Sequence, residues 1–394
     1  MSVFLGVGLG PIQTGIFLAG ASKGGFERIV IAEVDNKLKD AVNAGGGKIT
    51  VNIARDNAVY AETYANVEVY NPLNENDLKK LIAAAADADE LATALPSVKF
   101  FPQIAAWLRQ GFAMQPQRRR FIYTAENNNH AAEELEKAVG QYFPATYYLN
   151  TVVGKMSGVA NAVECEAQGL KRLCPDADRG HLVEEFNTIL ISSAPDSEQR
   201  QVKNLYVKAN LYPFEEAKLY GHNAIHFLLG ISGRKQGCEY MSELRGVPAL
   251  MKKAETAFIV ESGAALCRKW AGVDELFTES GFNAYAQDLL VRMTNPFLRD
   301  AIVRITRDIP RKLSWDDRVI GTMRLVLSHG IEPLILAEGA AMAVKELFGS
   351  NPEEIKDGLS KLWLAPWSGE HEKLFQLIAR KDFSTIGQSR TLQV

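Results

Sequence analysis

The chain has 394 residues, which at roughly 150 residues per domain implies two or three domains and a sizeable buried core. A hydrophobic share of 47% with 23% charged residues excludes a disordered or low-complexity chain. The 44 Lys and Arg against 47 Asp and Glu leave a net charge of -3, so the basic field that a nucleic-acid partner requires is lacking.

Cysteines occur at Cys165, Cys174, Cys238 and Cys267 without a CxxC pair, in a chain too large to depend on disulfides, so a reducing cytoplasm is expected. The start, Met1-Ser2-Val3-Phe4-Leu5-Gly6, has no basic segment followed by a long apolar one. No stretch approaches 18 apolar residues, so neither secretion nor a membrane partner is expected.

In chain order, residues 4–7, 28–34, 48–53, 67–70, 90–95 and 120–124 read as strands, rich in β-branched or apolar residues. Helical periodicity occupies 75–86 and 98–110 between them. This alternation predicts a doubly wound, Rossmann-like α/β domain with a parallel sheet. Residues 188–192 read as another strand, and Ser193-Ala194-Pro195-Asp196-Ser197 as a turn or linker. The expected division is therefore 1–193 for a nucleotide-binding domain and 194–394 for a mostly helical substrate and catalytic domain. Helical patterns follow at 215–229, 246–270, 284–292 and 331–348.

Gly6-Val7-Gly8 closes the first strand, followed by Leu9-Gly10-Pro11. Glycines there let the backbone turn tightly and approach a pyrophosphate at a helix N-terminus, so Gly6, Gly8 and Gly10 are candidate cofactor-binding residues. Position 11 is Pro where the usual pattern has its third Gly, and glycine turns between strand and helix also occur without any nucleotide. Glu33, about twenty residues on at the end of the second strand, could accept from both ribose hydroxyls of NAD. A carboxylate there repels a 2′-phosphate, although Arg28 and Lys37 keep NADP open.

The segment from Glu215 to His226 is the most informative. At about 100° per residue, with Lys218 as zero, Glu215 falls at about 60°, His226 at about 80° and Asn223 at about 140°, one polar face. The bland alternative is an exposed Glu215–Lys218 ion pair beside a hydrogen-bonded interior histidine. His222 and His226 have the spacing of two zinc ligands. The residue after the first His is Asn223 rather than Glu, and no Cys pair supplies further ligands, so no metal is expected.

Lys218, Asn223 and His226 reproduce a K-x(4)-N-x(2)-H pattern. Farther on stand Asn295-Pro296, Asp300, Arg304, Arg307, Pro310-Arg311-Lys312-Leu313 and Asp317-Arg318. With Ala88-Asp89, Thr93-Ala94 and Ala125-Glu126-Asn127, these make the chain resemble the polyol-specific long-chain dehydrogenases over nearly its whole length, and its length suits their sugar-phosphate branch. The resemblance implies an NAD-dependent, metal-independent interconversion of a polyol phosphate and a ketose phosphate, mannitol 1-phosphate and fructose 6-phosphate. It implies Lys218 as general base and Asn127 and Asn223 as holders of the substrate oxygen. His226 would hold a substrate hydroxyl, and Glu215 would relay the proton. A monomer or weak homodimer is expected.

The chemistry agrees with those roles. A secondary alcohol loses a hydride while its proton needs an uncharged amine, which burial can provide by lowering a lysine's value from about 10.4. Asn127 follows a strand at the carboxyl edge of a parallel sheet, from which it could meet the second domain's helix across a cleft. Arg304, Arg307, Arg311 and Lys312 could gather around a phosphate or carboxylate, although Asp300 and Asp308 stand where they would satisfy Arg304 within one helix. Arg118-Arg119-Arg120 reads as a solvated edge. Alternatives are the same chemistry on a free polyol or sugar acid and, more distantly, a dinucleotide-binding sensor without catalysis.

Overall fold

Val3-Phe4-Leu5-Gly6-Val7 carries no charge and is wholly buried as strand β1, as a strand covered on both faces must be. In the computed structural model, which describes residues 1–364 and 366–380, β1 lies between β2 (Arg28–Ala32) and β6 (Glu90–Thr93). Nine further ranges complete the strand set: β3 (Ile49–Ala54), β4 (Val59–Tyr64), β5 (Val67–Tyr70), β7 (Arg120–Thr124), β8 (Thr146–Val152), β9 (Ser157–Asn161), β10 (Arg179–Glu184), β11 (Ile189–Ser192) and β12 (Leu205–Lys208).

Eight of these form one sheet in the order β12-β11-β8-β7-β6-β1-β2-β5. The run β5-β2-β1-β6-β7-β8 is parallel throughout. Its third-second-first-fourth-fifth-sixth order is that of a dinucleotide-binding Rossmann sheet. Helices Glu75–Asp87 and Phe101–Met114 cover one face through Leu81, Ala85, Trp107 and Leu108, packed on Leu5, Val30 and Ile122.

The strand expected at 48–53 forms as β3 but belongs to a separate sheet, β4-β3-β10-β9. β3 makes an antiparallel hairpin with β4 and pairs in parallel with β10. That sheet packs on the helical segment after the glycine loop. A Cβ at Gly15 would stand 2.7 Å from Val183 Cγ1, and Thr14 Oγ1 meets His181 Nδ1 at 2.8 Å. Burial, with Arg179 nearby, pushes His181 down to about 3, so its ring is neutral.

The Arg118–Arg120 run is not a solvated edge. Arg120 is fully buried; its guanidinium donates to Ala85 O and Ala86 O, carbonyls of the last turn of Glu75–Asp87. A cation there satisfies orphan acceptors at a helix C-terminus. Arg118 pairs with Asp89 at 2.9 Å.

The chain divides into Met1–Tyr212 and Pro213–Val394, later than the expected break after residue 193. β12 causes the difference, because it extends the first unit's sheet by pairing in parallel with β11. In the second unit the described elements are helical, among them Ala224–Lys235, Glu279–Met293, Ile320–Ser328 and Leu334–Phe348. No described helix is long and apolar enough to cross a membrane.

Candidate active site

In the first unit, the strand ends at Val7, Thr93 and Thr124 share one edge of the sheet. Gly8 has φ +86°, and a Cβ there would meet Ala94 O at 3.0 Å, so glycine is required. At Gly6 a Cβ would collide with the Gln13 side chain. Gly10 differs, since a Cβ there would meet nothing within 4 Å; the open space beside it suits an approaching pyrophosphate. Pro11 opens the helical segment, where a missing N–H disrupts no helical bond, yet it removes one amide that could face an anion.

Glu33 is half-buried and already engaged. Its Oε2 accepts from Leu9 N at 2.8 Å and its Oε1 from Asp35 N at 2.9 Å. The carboxylate therefore shapes the glycine loop, and each oxygen retains acceptor capacity for a ribose hydroxyl. Arg28 is committed to Glu68 through two 2.8 Å bonds, while Lys37 is exposed.

Asn127 is exposed beyond the end of β7. Its neighbour Glu126 is buried and accepts from Thr93 Oγ1 at 2.9 Å and Leu95 N at 2.8 Å. It thereby ties the loops after β6 and β7 together. Burial raises the Glu126 carboxyl against the opposing pull of these bonds.

In the second unit, Lys218, Asn223 and His226 lie on one continuous helical stretch, but it is not α-helical throughout. Ala217–Asn223 is a π-helix between Tyr212–Glu216 and Ala224–Lys235. This corrects the uniform 100° step. Closing bonds from i to i+5 requires about 4.4 residues per turn, or about 80° per residue. Five such steps place Asn223 about 40° from Lys218, and three α-steps more return His226 to about 20° on the other side. The three groups thus span about 60° where an α-helix would spread them over about 140°. Glu215, half-buried, precedes the π-turn at about 80° from Lys218.

Lys218 is half-buried by exposure. Burial and the Arg318 cation, opposed by Glu215, push its ammonium down to about 8. His226 is buried, with Nε2 3.1 Å from Asp300 Oδ2. The contact is close without being a well-aligned hydrogen bond. His222 is buried, 5.9 Å from His226 between ring centroids. Burial, then His226, Arg292, Lys218 and Arg318, push it well down, so a neutral ring stands among the cations. Among the described residues, no group of three or more His, Cys, Asp or Glu side chains is arranged to hold a metal ion.

The basic segment is largely spoken for. Arg304 donates to Asp300 Oδ1 through Nε and Nη2 at 2.9 and 2.6 Å. Arg311 bridges Asp308 and Asp317 at 2.7 and 2.8 Å. Lys312 is buried, donating to the carbonyls of Ile305 and Arg307, and burial with Arg318 beside it pushes it down to about 8. Arg307 is exposed.

The sequence model of the mannitol dehydrogenase C-terminal domain matches residues 210–393. The C-terminal half of the chain is a mannitol dehydrogenase C-terminal domain. Residues 210–393 accordingly belong to the mannitol dehydrogenase family, and the chain is an oxidoreductase, a dehydrogenase acting on a CH–OH group. Relatives include mannitol-1-phosphate 5-dehydrogenase of Bacillus licheniformis, 25% identical with 90% of each chain covered. The enzyme of that name from Lactococcus lactis subsp. cremoris is 26% identical, covering 82% of this chain and 81% of its own. The fold matches that of Pseudomonas fluorescens mannitol 2-dehydrogenase, solved with NAD and D-mannitol, at TM-score 0.70 and 13% identity over 96% of this chain and 90% of that one. A substrate-free D-sorbitol dehydrogenase matches at TM-score 0.69 and 14% identity, over 96% and 86%.

In this dehydrogenase the roles of Glu126, Asp300 and Arg318 escape sequence reasoning, because each acts through a residue distant in sequence. The π-turn did leave a signal: a five-residue interval between two groups expected on one face fits a π-turn and misfits an α-turn.

Proposed function

We propose that the chain interconverts mannitol 1-phosphate and fructose 6-phosphate with NAD, without a metal, using Lys218 as general base. The observation that carries this reading is a lysine pushed down to about 8 on the same narrow stripe as Asn223 and His226. Bound NAD would supply the hydride acceptor. Gly6, Gly8 and Gly10 would face its pyrophosphate, and Glu33 its adenosine ribose. Lys218 Nζ takes the hydroxyl proton, and Glu215 passes it to water. The neutral amides of Asn127 and Asn223 donate to the developing alkoxide, which they stabilise without trapping it. His226 holds a neighbouring hydroxyl.

The phosphate assignment is supported by the names of the sequence relatives. A second reading, a free polyol or sugar acid, is favoured by the internal pairing of Arg304, Arg311 and Lys312. A rate panel crossing NADH and NADPH with fructose, fructose 6-phosphate and a keto-uronate separates them. A gain in kcat/KM from the phosphate supports the first reading, and equal values for fructose support the second. NADH binding without turnover of any of them would indicate a sensor. Chelator treatment leaves the rate unchanged on this reading; a loss restored by zinc refutes it.

A further inference from the structure

The π-turn under Lys218 has an outside support. Ser262 lies in a second π-helical segment, Ala257–Gly263. It is fully buried and donates its hydroxyl to the Tyr220 carbonyl at 2.7 Å. Tyr220 sits inside the turn, between Lys218 and Asn223. The approach of the two segments needs a small residue at Gly221, where a Cβ would stand 3.1 Å from Phe258 Cε2; Gly263 instead faces the Phe282 ring of Glu279–Met293, 2.6 Å from an added Cβ.

Ser262 is itself held in place. The preceding Glu261 accepts from Ile335 N at 2.7 Å and Leu336 N at 3.0 Å, so its carboxylate sits at the N-terminus of Leu334–Phe348, where free amides and the helix dipole favour it. Thr322 Oγ1 also lies 3.4 Å from Tyr220 O. Its single hydrogen has a closer acceptor in Arg318 O, which leaves Ser262 as the principal donor.

π-turns are rare beside α-turns, and a polar group donating to a carbonyl of the ladder is one of the causes that distort a helix. If the turn rewound as α-helix, Asn223 would swing about 100° away from Lys218. We propose that Ser262 is a positioning residue: through the Tyr220 carbonyl it holds the π-turn that places the Asn223 amide in line with the Lys218 amine. The inference rests on the reading of Lys218 as the base.

The test compares Ser262→Ala, Ser262→Thr, Thr322→Val and Lys218→Ala in the full chain, with melting temperatures checking the fold. The pH–rate profile for mannitol 1-phosphate oxidation by NAD is read beside hydrogen exchange of the backbone amides of residues 218–226. Ser262→Ala is expected to lower kcat about ten- to a hundredfold, as small misplacements of reacting groups do. KM for NAD should stay unchanged, the pH midpoint should move, and exchange in the turn should quicken. Ser262→Thr should recover most of the loss, and Thr322→Val should do less harm than Ser262→Ala. A folded Ser262→Ala enzyme with parental kcat, pH midpoint and exchange, beside an inactive Lys218→Ala, overturns the positioning role alone. A Lys218→Ala enzyme as fast as the parent overturns the base reading and this role with it.

Discussion

His226 Nε2 lies 3.1 Å from Asp300 Oδ2, while the other oxygen of Asp300 takes two bonds from Arg304. His226 is thus backed by a buried carboxylate that also pairs with an arginine. Burial raises the Asp300 carboxyl, but His226 and Arg304 together outweigh it, and the net direction is down. Its stabilising contribution is therefore complete above the ordinary carboxylate range and lost as pH falls through its lowered value. Asp300→Asn leaves Arg304 without its carboxylate and, because that guanidinium is partly exposed, should cost about 1–2 kcal/mol in urea denaturation at neutral pH. The same change should raise KM for the polyol more than it lowers kcat, because it loosens His226.

With Lys218 as the proposed base, oxidation requires its neutral amine, so kcat/KM should climb about tenfold per pH unit and level above about 8. Two neighbours should move that midpoint in opposite directions. Arg318→Met removes a repelling cation and shifts it upward, whereas Glu215→Gln removes an attracting carboxylate and shifts it downward. Lys218→Ala should depress turnover by about a hundred- to ten-thousandfold with NADH binding nearly intact. The check is a pH–rate series on the four proteins.

Glu33 couples the glycine loop to the turn after β2 through Leu9 N and Asp35 N. Glu33→Gln replaces one acceptor oxygen with a donor that faces an N–H, so the loop should loosen and NADH affinity should fall about tenfold, roughly one lost charge-assisted hydrogen bond. Removing the charge also relieves repulsion of a 2′-phosphate, so NADPH should lose less affinity than NADH. Fluorescence titration with both nucleotides reads the two effects.

Burial lifts the Glu261 carboxyl to about 7, against bonds from Ile335 and Leu336 that lower it. The folded chain then holds a proton that the unfolded chain releases near the ordinary value. Stability should therefore fall as pH rises from about 4.5 to about 7 and show no further change from this group above it. Glu261→Gln should remove that component. The difference in melting temperature between parent and variant should slope across this window and flatten beyond it.

The N-terminal unit was legible because parallel strands buried on both faces must be apolar runs, and β1, β2, β6 and β7 read as mostly apolar ones. β4 was not, since Tyr60, Ala61 and Thr63 are exposed and the strand has no buried run to announce it. β12 was hidden for a similar reason: Tyr206 and Val207 are exposed at the sheet edge, and missing it set the unit boundary too early. Arg120 misled because a cation beside two others suggests solvent, while the carbonyls that satisfy it belong to a helix more than thirty residues earlier. In the site, residue types and spacing pointed to Lys218, Asn223 and His226, but the helix period assumed for them was wrong.

That period gives the interval between Lys218 and Asn223 the force of a length code. Deleting one residue from 219–222 would leave the lysine and the asparagine four apart, on one face of an ordinary α-helix, with no bulge to support. The shortened helix would be the more regular and easier to form, and every group C-terminal to the deletion would keep its azimuth, because four α-steps and five π-steps both end about 40° past a full turn. Selection for helix stability alone would favour that deletion, so the five-residue interval is a cost that an ordinary helix with the same two groups on one face would not carry.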